Sequence, residues 1–588
     1  MYDSGVTFRV WAPFASRVSV AGTFNNWSNN SHQLFSEGNG YWSVDVDSAR
    51  LGDQYKYVLT NRDHGWELWR NDPYARELTN SAGNSIVADP DFNWTAGEYS
   101  TPLWNEVVIY ELHIGTFSVD TNRQNGRGSF QSAIGKLDYL QELGINAVEI
   151  MAAGEFPVDS SWGYNQSYMF AIEQSYGGPN GFRDFVDQAH RRGIAVIFDV
   201  VYNHIGPRDL DLWQFDGWEQ DNHGGIYFYN DWRRNTPWGE TRPDYGRSEV
   251  RQYLRDNALR WLEQRHVDGL RWDATGWIRN VEGKNNDPGN DLPDGWGLMQ
   301  LINGEIRSRQ SWKISIAEDM QNNEWITRDV ESGGAGFNAQ WDAGFVHPVR
   351  AAIVSPNDND RNMYAIRDAI THAYNDDAFR RVVYTESHDE DANGRSRIPE
   401  EIWPGNAGSY YSKKRSILGA TLVLTAPGIP MIFQGQEFLE AGYFSDERML
   451  DWTKAERYRG ILNFYRDLIR LRRNWFDTTR GLRGQHTNVF HVNNSDKVIA
   501  FHRWDRGGPG DDVVIVINMA NRSYENYSLG LPREGTWRVR LNSDWRGYSE
   551  DFGNHVSEDI FATPPGRDFL PAQSNLSIGA LSALILSQ

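Results

Sequence analysis

The chain has 588 residues, 39% of them hydrophobic, which is enough for about three or four domains with cores of their own. Its formal net charge of −21 at pH 7 argues against nucleic acid as a partner. Cysteine is absent, which excludes disulfides, thiolate catalysis and zinc–thiolate sites, and no segment approaches the roughly 18 apolar residues of a membrane span.

Aromatic residues are abundant, with 25 Trp and 27 Tyr. Flat amphipathic rings suit neutral, hydroxyl-rich ligands whose C–H faces stack on them. The N-terminus, MYDSGVTFRVWAP, lacks the basic stretch and apolar run of a signal peptide. We therefore expect a monomeric cytoplasmic protein, or a secreted one whose signal peptide has been removed.

Residues 1–100 predict an N-terminal β-sandwich. The segments VTFRVWAP, RVSVAGTF, YWSVDV and YKYVLT are rich in β-branched and aromatic residues, and Asn, Gly, Ser and Asp clusters separate them. The FNNW stretch (Phe24 to Trp27), Trp66 and Trp69 are candidate sugar platforms. They are equally consistent with ordinary sandwich aromatics, and both interpretations stay open.

Residues 101–479 predict a TIM (β/α)8 barrel, because from Trp104 to Asn474 short apolar strands alternate with amphipathic helices. A doubly wound open sheet is the alternative, but no Gly-rich phosphate loop follows the first strand. The eight predicted strands are Val107–Glu111, Ala147–Ile150, Ala195–Val201, Gly269–Asp273, Ile314–Glu318, Gly336–Gln340, Val382–Thr385 and Met431–Gln434.

The remaining segments complete a three-domain architecture. SEVRQYLRDNALRWLEQ predicts a helix with an apolar face formed by Val250, Tyr253, Leu254, Ala258, Trp261 and Leu262. The polar, aromatic stretch at about 202–247 is too long for a βα loop and predicts a small excursion domain. Residues 480–588, with NVFHV, KVIAFHRW, DVVIVINMA, WRVRL and SALILS, predict a C-terminal all-β domain.

Polar and charged side chains follow the predicted strands at their carboxyl ends, where the active sites of TIM barrels are found. In chain order they are Asp199, Asn203 and His204 at the third strand, Arg271 and Asp273 at the fourth, Glu318 at the fifth, and His388 and Asp389 at the seventh. Any one of these would more often be structural. Successive matches at the correct strand ends favour a catalytic site.

These residue types are the ones that glycoside cleavage requires. A retaining mechanism uses a carboxylate nucleophile and a second carboxylic acid that protonates the leaving oxygen. Arg271, two residues before Asp273, would favour the ionised form of that carboxylate. The acid needs a raised pKa, which a hydrophobic wall and neighbouring carboxylates provide.

The motifs DVVYNH, GLRWDATG, SIAED and ESHDE resemble the four sequence regions of the α-amylase family, glycoside hydrolase family 13. The resemblance implies that Asp273 is the nucleophile, Glu318 the general acid/base and Asp389 the transition-state stabiliser. The stretch WGYN supplies two predicted substrate-binding residues, Trp162 and Tyr164. The other predicted substrate-binding residues are Asp199, His204, Arg271, Trp272 and His388.

The first domain resembles carbohydrate-binding module family 48. The motifs of the chain resemble more than one enzyme group within the family. SHDE, AED and SWGYN are similar to 1,4-α-glucan branching enzymes, whereas ELHIGTF, DVVYNHIGP and YFYNDWRRNTPWGE resemble maltooligosyl-trehalose trehalohydrolases. We predict a branching-type transferase acting on α-1,4-glucans such as starch, glycogen and maltooligosaccharides. The alternatives are a hydrolytic α-amylase, a trehalohydrolase and a protein that only binds glucan.

No cofactor is expected. Many α-amylases hold calcium near the asparagine of their first region, which is Asn203 in this chain. Calcium needs several oxygen ligands, and the Asp and Asn residues of 202–247 do not form a recognisable loop for it. The prediction is that the chain has no metal site.

Overall fold

The computed structural model describes residues 2, 5–123 and 126–588. The N-terminal unit consists of two antiparallel sheets, ordered β1-β4-β3 and β2-β5-β6, with β7 added to β5. All four strands predicted here are present, and the predicted list lacked three short ones. The bounds are β1 Val6–Trp11, β2 Ala15–Gly22, β3 Phe35–Gly38, β4 Tyr41–Val46, β5 Gln54–Asn61, β6 Glu67–Arg70 and β7 Ser85–Ile86.

Eight parallel strands close into a barrel in the order β12-β13-β14-β15-β16-β17-β8-β9, which confirms the predicted fold class. The bounds are β8 Ile109–Leu112, β9 Ala147–Ile150, β12 Ala195–Val200, β13 Gly269–Trp272, β14 Ile314–Ala317, β15 Ala339–Trp341, β16 Arg381–Val383 and β17 Ile429–Phe433. A separate hairpin, β10 Gly154–Glu155 and β11 Tyr168–Ile172, lies beside the barrel.

The sixth barrel strand begins three residues later than predicted. Gly336 has a φ of +82°, and its N–H donates to the carbonyl of Arg328, so this residue lies outside the extended strand. Extended pairing starts only at Ala339, beside Ile316 of β14.

Helices cover the outside of the barrel. Their bounds are α1 Ile114–Phe117, α2 Phe130–Ile134, α3 Leu137–Leu143, α4 Gly178–Arg191, α5 Ser248–Gln264, α6 Gly276–Arg279, α7 Pro293–Arg309, α8 Ala343–Val354, α9 Met363–Thr371, α10 Ile398–Ile402, α11 Tyr410–Thr425, α12 Thr453–Arg457 and α13 Arg459–Arg472. Helix α5 spans Ser248–Gln264, as the sequence predicted, and the residues of its predicted apolar face, from Val250 to Leu262, are buried.

The excursion at 202–247 contains only two short 3-10 helices, Gly225–Tyr227 and Trp232–Arg234. It lies against the N-terminal sheets. The Phe14 N–H donates to Asp216 Oδ2 at 2.8 Å, and the Asn61 amide donates to the Asp216 carbonyl at 2.9 Å. The ring of Trp218 stacks on Phe14 with centroids 4.8 Å apart. This segment therefore joins the sandwich to the barrel and shares their core.

The C-terminal unit has a six-stranded sheet, β18-β19-β20-β25-β22-β23, and a β21–β24 pair. The bounds are β18 His486–Asn493, β19 Val498–Trp504, β20 Val513–Asn518, β21 Tyr524–Leu531, β22 Gly535–Asn542, β23 Ile560–Ala562, β24 Ala572–Ile578 and β25 Ser582–Ser587. A buried ion pair, Lys414 Nζ to Asp544 Oδ1 at 2.6 Å, ties this unit to α11.

One hydrophobic cluster runs through all three units, from Val6 and Phe8 of β1 through the helix layer to Ile515 and Ile585. A second cluster fills the barrel interior and includes Ile109, Ile316 and Met431. Across the described part of the chain, no helix combines the length and the apolar character that crossing a bilayer requires.

Candidate active site

The carboxyl ends of the parallel barrel strands meet at one rim, and the predicted residues lie there. They are Asp199 on β12, Arg271 on β13, Asp273 directly after β13, Glu318 directly after β14, and His388 and Asp389 in the loop after β16. Arg271 and Asp273 are two apart in an extended segment, so their side chains share a face.

Arg271 joins three of these carboxylates. Its Nη1 donates to Asp199 Oδ2 at 2.7 Å and to Asp273 Oδ1 at 3.1 Å. Its Nη2 forms an ion pair with Glu318 Oε2 at 2.7 Å. The guanidinium is fully buried and lies 4.3 Å from the ring centre of Trp341. Such a buried cation is tolerable only because carboxylates surround it.

The pair Asp273 and Glu318 fits a retaining glycosidase. Two carboxyl groups that contact one guanidinium lie close together, and retaining enzymes keep their pair only about 5–5.5 Å apart. The Ala274 N–H donates to Glu318 Oε2 at 2.9 Å, which fixes the second carboxyl relative to the first. One group can therefore attack a carbon while the other serves the adjacent oxygen.

Burial raises the pKa of Glu318 to about 8. The Asp273 and Asp389 charges act in the same direction, and Arg271 acts against them. Glu318 is thus protonated at neutral pH, which is the state that a general acid requires.

Asp199 and Tyr164 form the floor of the site. The Tyr164 hydroxyl donates to Asp199 Oδ2 at 2.7 Å, and the Tyr164 ring stacks on His388 with centroids 4.9 Å apart. Burial raises the pKa of Asp199 to about 7, although Arg271 opposes the shift. Tyr164 therefore offers a half-buried ring to a ligand while its hydroxyl stays fixed.

His388 has a buried partner, Glu111 on β8. Glu111 contacts Nδ1 through Oε1 at 2.5 Å and accepts from the backbone N–H of His388 at 3.1 Å through Oε2. Burial alone would lower the pKa of His388, but Glu111 and Asp389 raise it to about 9. His388 is therefore a cation at neutral pH. The sequence places Glu111 within the first predicted strand, but its role was not predicted.

Asp389 lies at the mouth of the site, with 44% of its side chain exposed. His388 Nε2 is 3.7 Å from Asp389 Oδ1, and the Asn393 amide donates to the same oxygen at 3.3 Å. A bound ligand can thus reach the carboxylate of Asp389 directly.

His204 is nearly fully buried, and burial lowers its pKa to about 4, so it is neutral at pH 7. Trp238 of the 202–247 excursion stacks on it with centroids 4.7 Å apart. Trp238 is 41% exposed and meets Trp277 edge-on at 5.9 Å. Sequence reasoning missed Trp238, whose only signal was its place in the PWGE stretch.

The two remaining predicted residues differ. Trp162 is partly exposed, 5.3 Å from Phe444 and 6.0 Å edge-on from His388, so it lies in the cleft. The assignment of Trp272 to substrate binding is wrong. Its side chain is 0% exposed and packs edge-on against Tyr202 and Phe337 in the outer core, because it alternates with Arg271 along β13.

A groove of about 620 Å³ lies on the loops that follow Asp273 and Glu318. Two tryptophans line it, Trp325, which is 42% exposed, and Trp296. Arg279 in the wall of the groove forms ion-pair contacts of 2.8 and 2.9 Å with Asp319, the residue that follows Glu318. The sequence carried no pattern that predicted this groove.

The aromatic residues of the first domain that were candidate sugar platforms differ in their exposure to solvent. Phe24 packs on Phe8 with centroids 5.5 Å apart and belongs to the core. Trp66 and Trp69 are 56% and 38% exposed.

Asn203 is fully buried, and within the described part of the chain neither its amide nitrogen nor its oxygen has a hydrogen-bond partner. Calcium takes six to eight oxygen ligands, and one amide supplies one. Among residues 2, 5–123 and 126–588, no group of three or more His, Asp and Glu side chains is placed to hold a metal. These residues do not fit a calcium site, and metal independence stays a prediction.

Comparison with known families matches three stretches of the chain and leaves residues 76–112 unmatched. Residues 113–210 and 211–498 match the family described as alpha amylase, catalytic domain. Residues 1–75 match carbohydrate-binding module 48 (isoamylase N-terminal domain), and residues 490–588 match alpha amylase, C-terminal all-beta domain.

The chain is similar to several proteins named 1,4-alpha-glucan branching enzyme GlgB. The one from Corynebacterium jeikeium (strain K411) is 31% identical, covering 99% of this chain and 82% of its own. The one from Corynebacterium diphtheriae is 30% identical, and the alignment covers 98% of this chain and 79% of that protein. A pullulanase from Anoxybacillus sp. LM18-11, solved with maltotriose, matches all of this chain and 85% of its own with a TM-score of 0.76. Its identity is 20%, so it shows the fold alone.

Proposed function

This chain belongs to the α-amylase family, glycoside hydrolase family 13, and we propose that it is a 1,4-α-glucan branching enzyme. In this proposal it cleaves an α-1,4-glucosidic bond with retention and transfers the released chain to a hydroxyl of another glucan. The observation that carries the chemistry is the contact of Arg271 with Asp199, Asp273 and Glu318.

In the first step Glu318 donates its proton to the glucosidic oxygen as the C1–O4 bond breaks. Asp273 attacks C1 from the opposite face, so a C1–Oδ ester bond forms and the chain is held as a glycosyl-enzyme. The raised pKa of Glu318 provides the proton at neutral pH.

In the second step the ionised Glu318 takes the proton from a 6-hydroxyl of the acceptor chain. The acceptor oxygen bonds to C1, and the C1–Oδ bond to Asp273 breaks, which leaves an α-1,6 branch. If water takes the place of the acceptor, the same step releases a shorter maltooligosaccharide. Positioning of the acceptor decides between the two outcomes.

The remaining groups stabilise the reacting ring. Charge develops on C1 and the ring oxygen in the oxocarbenium-like transition state, and the anionic Asp389 at the cleft mouth favours it. The Tyr164 ring and the neutral His204 suit the hydroxyls and C–H face of a glucosyl unit.

Two observations support transfer over hydrolysis. The relatives that align with nearly the whole chain carry the name of branching enzymes. In addition, Trp325 on the loop that follows Glu318 and Trp296 on α7 line a groove whose wall contacts Asp319, the residue next to the acid. A glucan chain stacked there would compete with water for the intermediate.

The test is to incubate the protein with amylose while reducing ends and iodine colour are followed together, and then to digest the products with isoamylase. Loss of colour with few new reducing ends, followed by many new ends after isoamylase, is the expected result.

Reducing ends that rise in step with the loss of colour would instead identify a hydrolytic α-amylase. Release of trehalose from maltooligosyl-trehalose would identify a trehalohydrolase. Binding of amylose without any product would leave only a glucan-binding protein.

The proposal requires one chain only, since every group that it uses comes from the same barrel. We accordingly expect a monomer, with a mass near 67.5 kDa by light scattering.

A further inference from the structure

We propose that a pocket beside helix α5, separate from the catalytic carboxylates, is an anion site that binds a phosphate group. The pocket measures about 340 Å³, and its walls come from the segment after β6, from β11, from α5 and from the end of α7. The inference goes beyond the proposed function and does not depend on it.

Arg260 on α5 is the residue of this arginine pocket that lacks a counter-ion. It is 5% exposed, and neither its Nε nor its Nη1 has a hydrogen-bond partner. Among residues 2, 5–123 and 126–588, no carboxylate forms an ion pair with it. An unpaired buried charge is costly, so this side chain should gain from a ligand that supplies negative charge.

Other buried arginines of the chain have the kinds of partner that Arg260 lacks. Arg381 contacts a carboxylate at 2.9 Å, and Arg503 donates to a backbone carbonyl at 2.7 Å. The rings of Phe170 and Trp261 compensate Arg260 little, because both ring centres are 5.9 Å from its guanidinium carbon. That distance is near the outer limit of a cation–π contact.

The charges around Arg260 are positive. Burial and the neighbouring charges of Arg265, Arg76 and Arg183 lower the pKa of Arg260 well below its ordinary value. Burial also lowers the pKa of Arg265, to about 9, with Arg183 and Arg76 acting in the same direction. A bound dianion would remove this repulsion, because it interacts favourably with every one of these guanidinium groups.

The walls of the arginine pocket carry net positive charge, although the whole chain carries −21. The charged lining residues in the described part of the chain are Arg76, Arg255, Arg260, Arg309, Asp256 and Glu263. Arg255 pairs with Asp256 at 3.0 Å, and Arg309 pairs with Glu263 at 3.1 Å. These pairs neutralise the two carboxylates, and Arg76 and Arg260 remain to meet an anion.

A phosphate group matches the arginine pocket better than other anions do. The planar fork of arginine fits the oxygens of phosphate with two parallel hydrogen bonds. The net negative charge of the chain opposes long polyanions such as nucleic acid.

The volume leaves room beside the phosphate for the rest of a small ester. Tyr74 is 39% exposed in the wall, where its ring can lie against a sugar, and the exposed Gln264 can bond to a hydroxyl. We therefore expect a sugar phosphate to bind more tightly than free phosphate.

The experiment titrates inorganic phosphate and, separately, glucose 6-phosphate into the full-length protein by calorimetry at low ionic strength. Each should bind at one site, and each should compete with the other. A concentration of 100 times the dissociation constant should raise the melting temperature by about 2 °C. Equal or tighter binding of inorganic phosphate would still support the site and would identify free phosphate as its occupant.

Two substitutions test the residues of the arginine pocket. Arg260→Met removes the buried charge, keeps a long side chain, and should weaken the binding of both ligands by roughly tenfold or more. Arg76→Gln changes an exposed position, so it should not disturb folding, and it should weaken binding by roughly twofold to fivefold. Arg538→Gln, at an exposed arginine of β22 outside the pocket, is the matched control and should bind as the parent does.

The inference would be overturned if the parent bound neither ligand, or if Arg76→Gln and Arg260→Met bound both with the parental affinity. Weaker binding by Arg538→Gln alone would overturn it as well, because the anion would then lie elsewhere. Should Arg260→Met fail to fold, the Arg76→Gln comparison still decides. Failure of the proposed function is a separate result, because it concerns the products from amylose and this experiment contains no glucan.

Discussion

Arg271 determines how the catalytic carboxylates are arranged. One fully buried guanidinium contacts Asp199, Asp273 and Glu318, so none of the three can move without losing a charged partner. Lysine has a single ammonium in place of the planar fork and could not make the same set of contacts. Contacts with one residue of β13, Arg271, thus fix the distance between the nucleophile and the acid.

Replacement of Glu318 by Gln should lower kcat on amylose by roughly 10²–10⁴-fold, because the leaving oxygen loses its proton donor. A maltosyl fluoride, whose leaving group needs no proton, should still form the glycosyl-enzyme at close to the parental rate. Stopped-flow release of fluoride measures this. Glu142→Gln, an exposed carboxylate on α3, is the control and should change neither rate. Equal loss on both substrates would contradict the assignment of Glu318 as the acid.

The activity should fall as pH rises through about 8. The folded pKa of Glu318 is raised, so the protonated acid is present below that value and is lost above it. A profile of kcat/KM on amylose would show this limb. With maltosyl fluoride the limb near 8 should vanish and leave one near 9, where His388 loses its charge. An amylose profile that stays flat up to pH 9.5 would be incompatible with this role.

At the residue scale, the sequence could identify side chains that belong to motifs at strand ends. Asp273 and Glu318 were found because each directly follows an apolar strand. Glu111 was missed because its role depends on closure of β8 against β17, which brings it to His388. Trp272 is next to the nucleophile in sequence, but the alternation of side chains along β13 turns it toward Tyr202 and Phe337 in the outer core.

The loops that follow β13 and β14 determine what the catalytic rim can do. They carry the nucleophile and the acid at their starts, and farther along the chain Trp296 of α7 and Trp325 line the groove. The nucleophile, the acid and the proposed acceptor groove therefore lie in the same two segments between barrel strands.

Replacement of Trp325 by Ala should shift the products from transfer toward hydrolysis. One ring contact is worth about 0.5–1.5 kcal/mol, so the ratio of new branches to new reducing ends should fall by roughly threefold to tenfold. The amylose assay with isoamylase measures it. Trp312→Ala, exposed on the same molecule outside the groove, is the control. An unchanged ratio in the Trp325 variant would show that the groove does not hold the acceptor.

At the element scale, prediction succeeded where periodicity was strong and failed where position depends on the tertiary structure. Helix α5 has its predicted bounds, since its apolar face repeats over more than three turns. The exposed strand β3, with no buried residue, gave no signal. The excursion lacks a core of its own, and its position follows from tertiary contacts such as those with Phe14 and Asn61.

At the scale of the whole molecule, the three units share one hydrophobic cluster. The sandwich covers aromatic residues of the excursion and of α5, because Trp11 meets Tyr227 and Tyr74 meets Tyr253. We therefore expect the sandwich and the barrel to unfold together.

Calorimetry should show a single transition for the sandwich and barrel. Asp216→Ala should lower the free energy of unfolding by about 1–3 kcal/mol, since the Phe14 N–H loses its acceptor in a buried interface. Asp63→Ala, an exposed position in the same sandwich, should change it little. A separate early transition, assigned to the sandwich, would contradict the shared core.

Closure of the barrel joins β8 to β17, with Ile109 beside Met431. During synthesis on the ribosome, the first barrel strand must therefore wait for a partner that is translated more than 300 residues later. The half-built sheet keeps an unpaired edge until Phe433 has emerged. The nascent chain is thus most prone to aggregation late in translation, and a chain terminated just before β17 would hold Asp273, Glu318 and Asp389 and still lack a barrel.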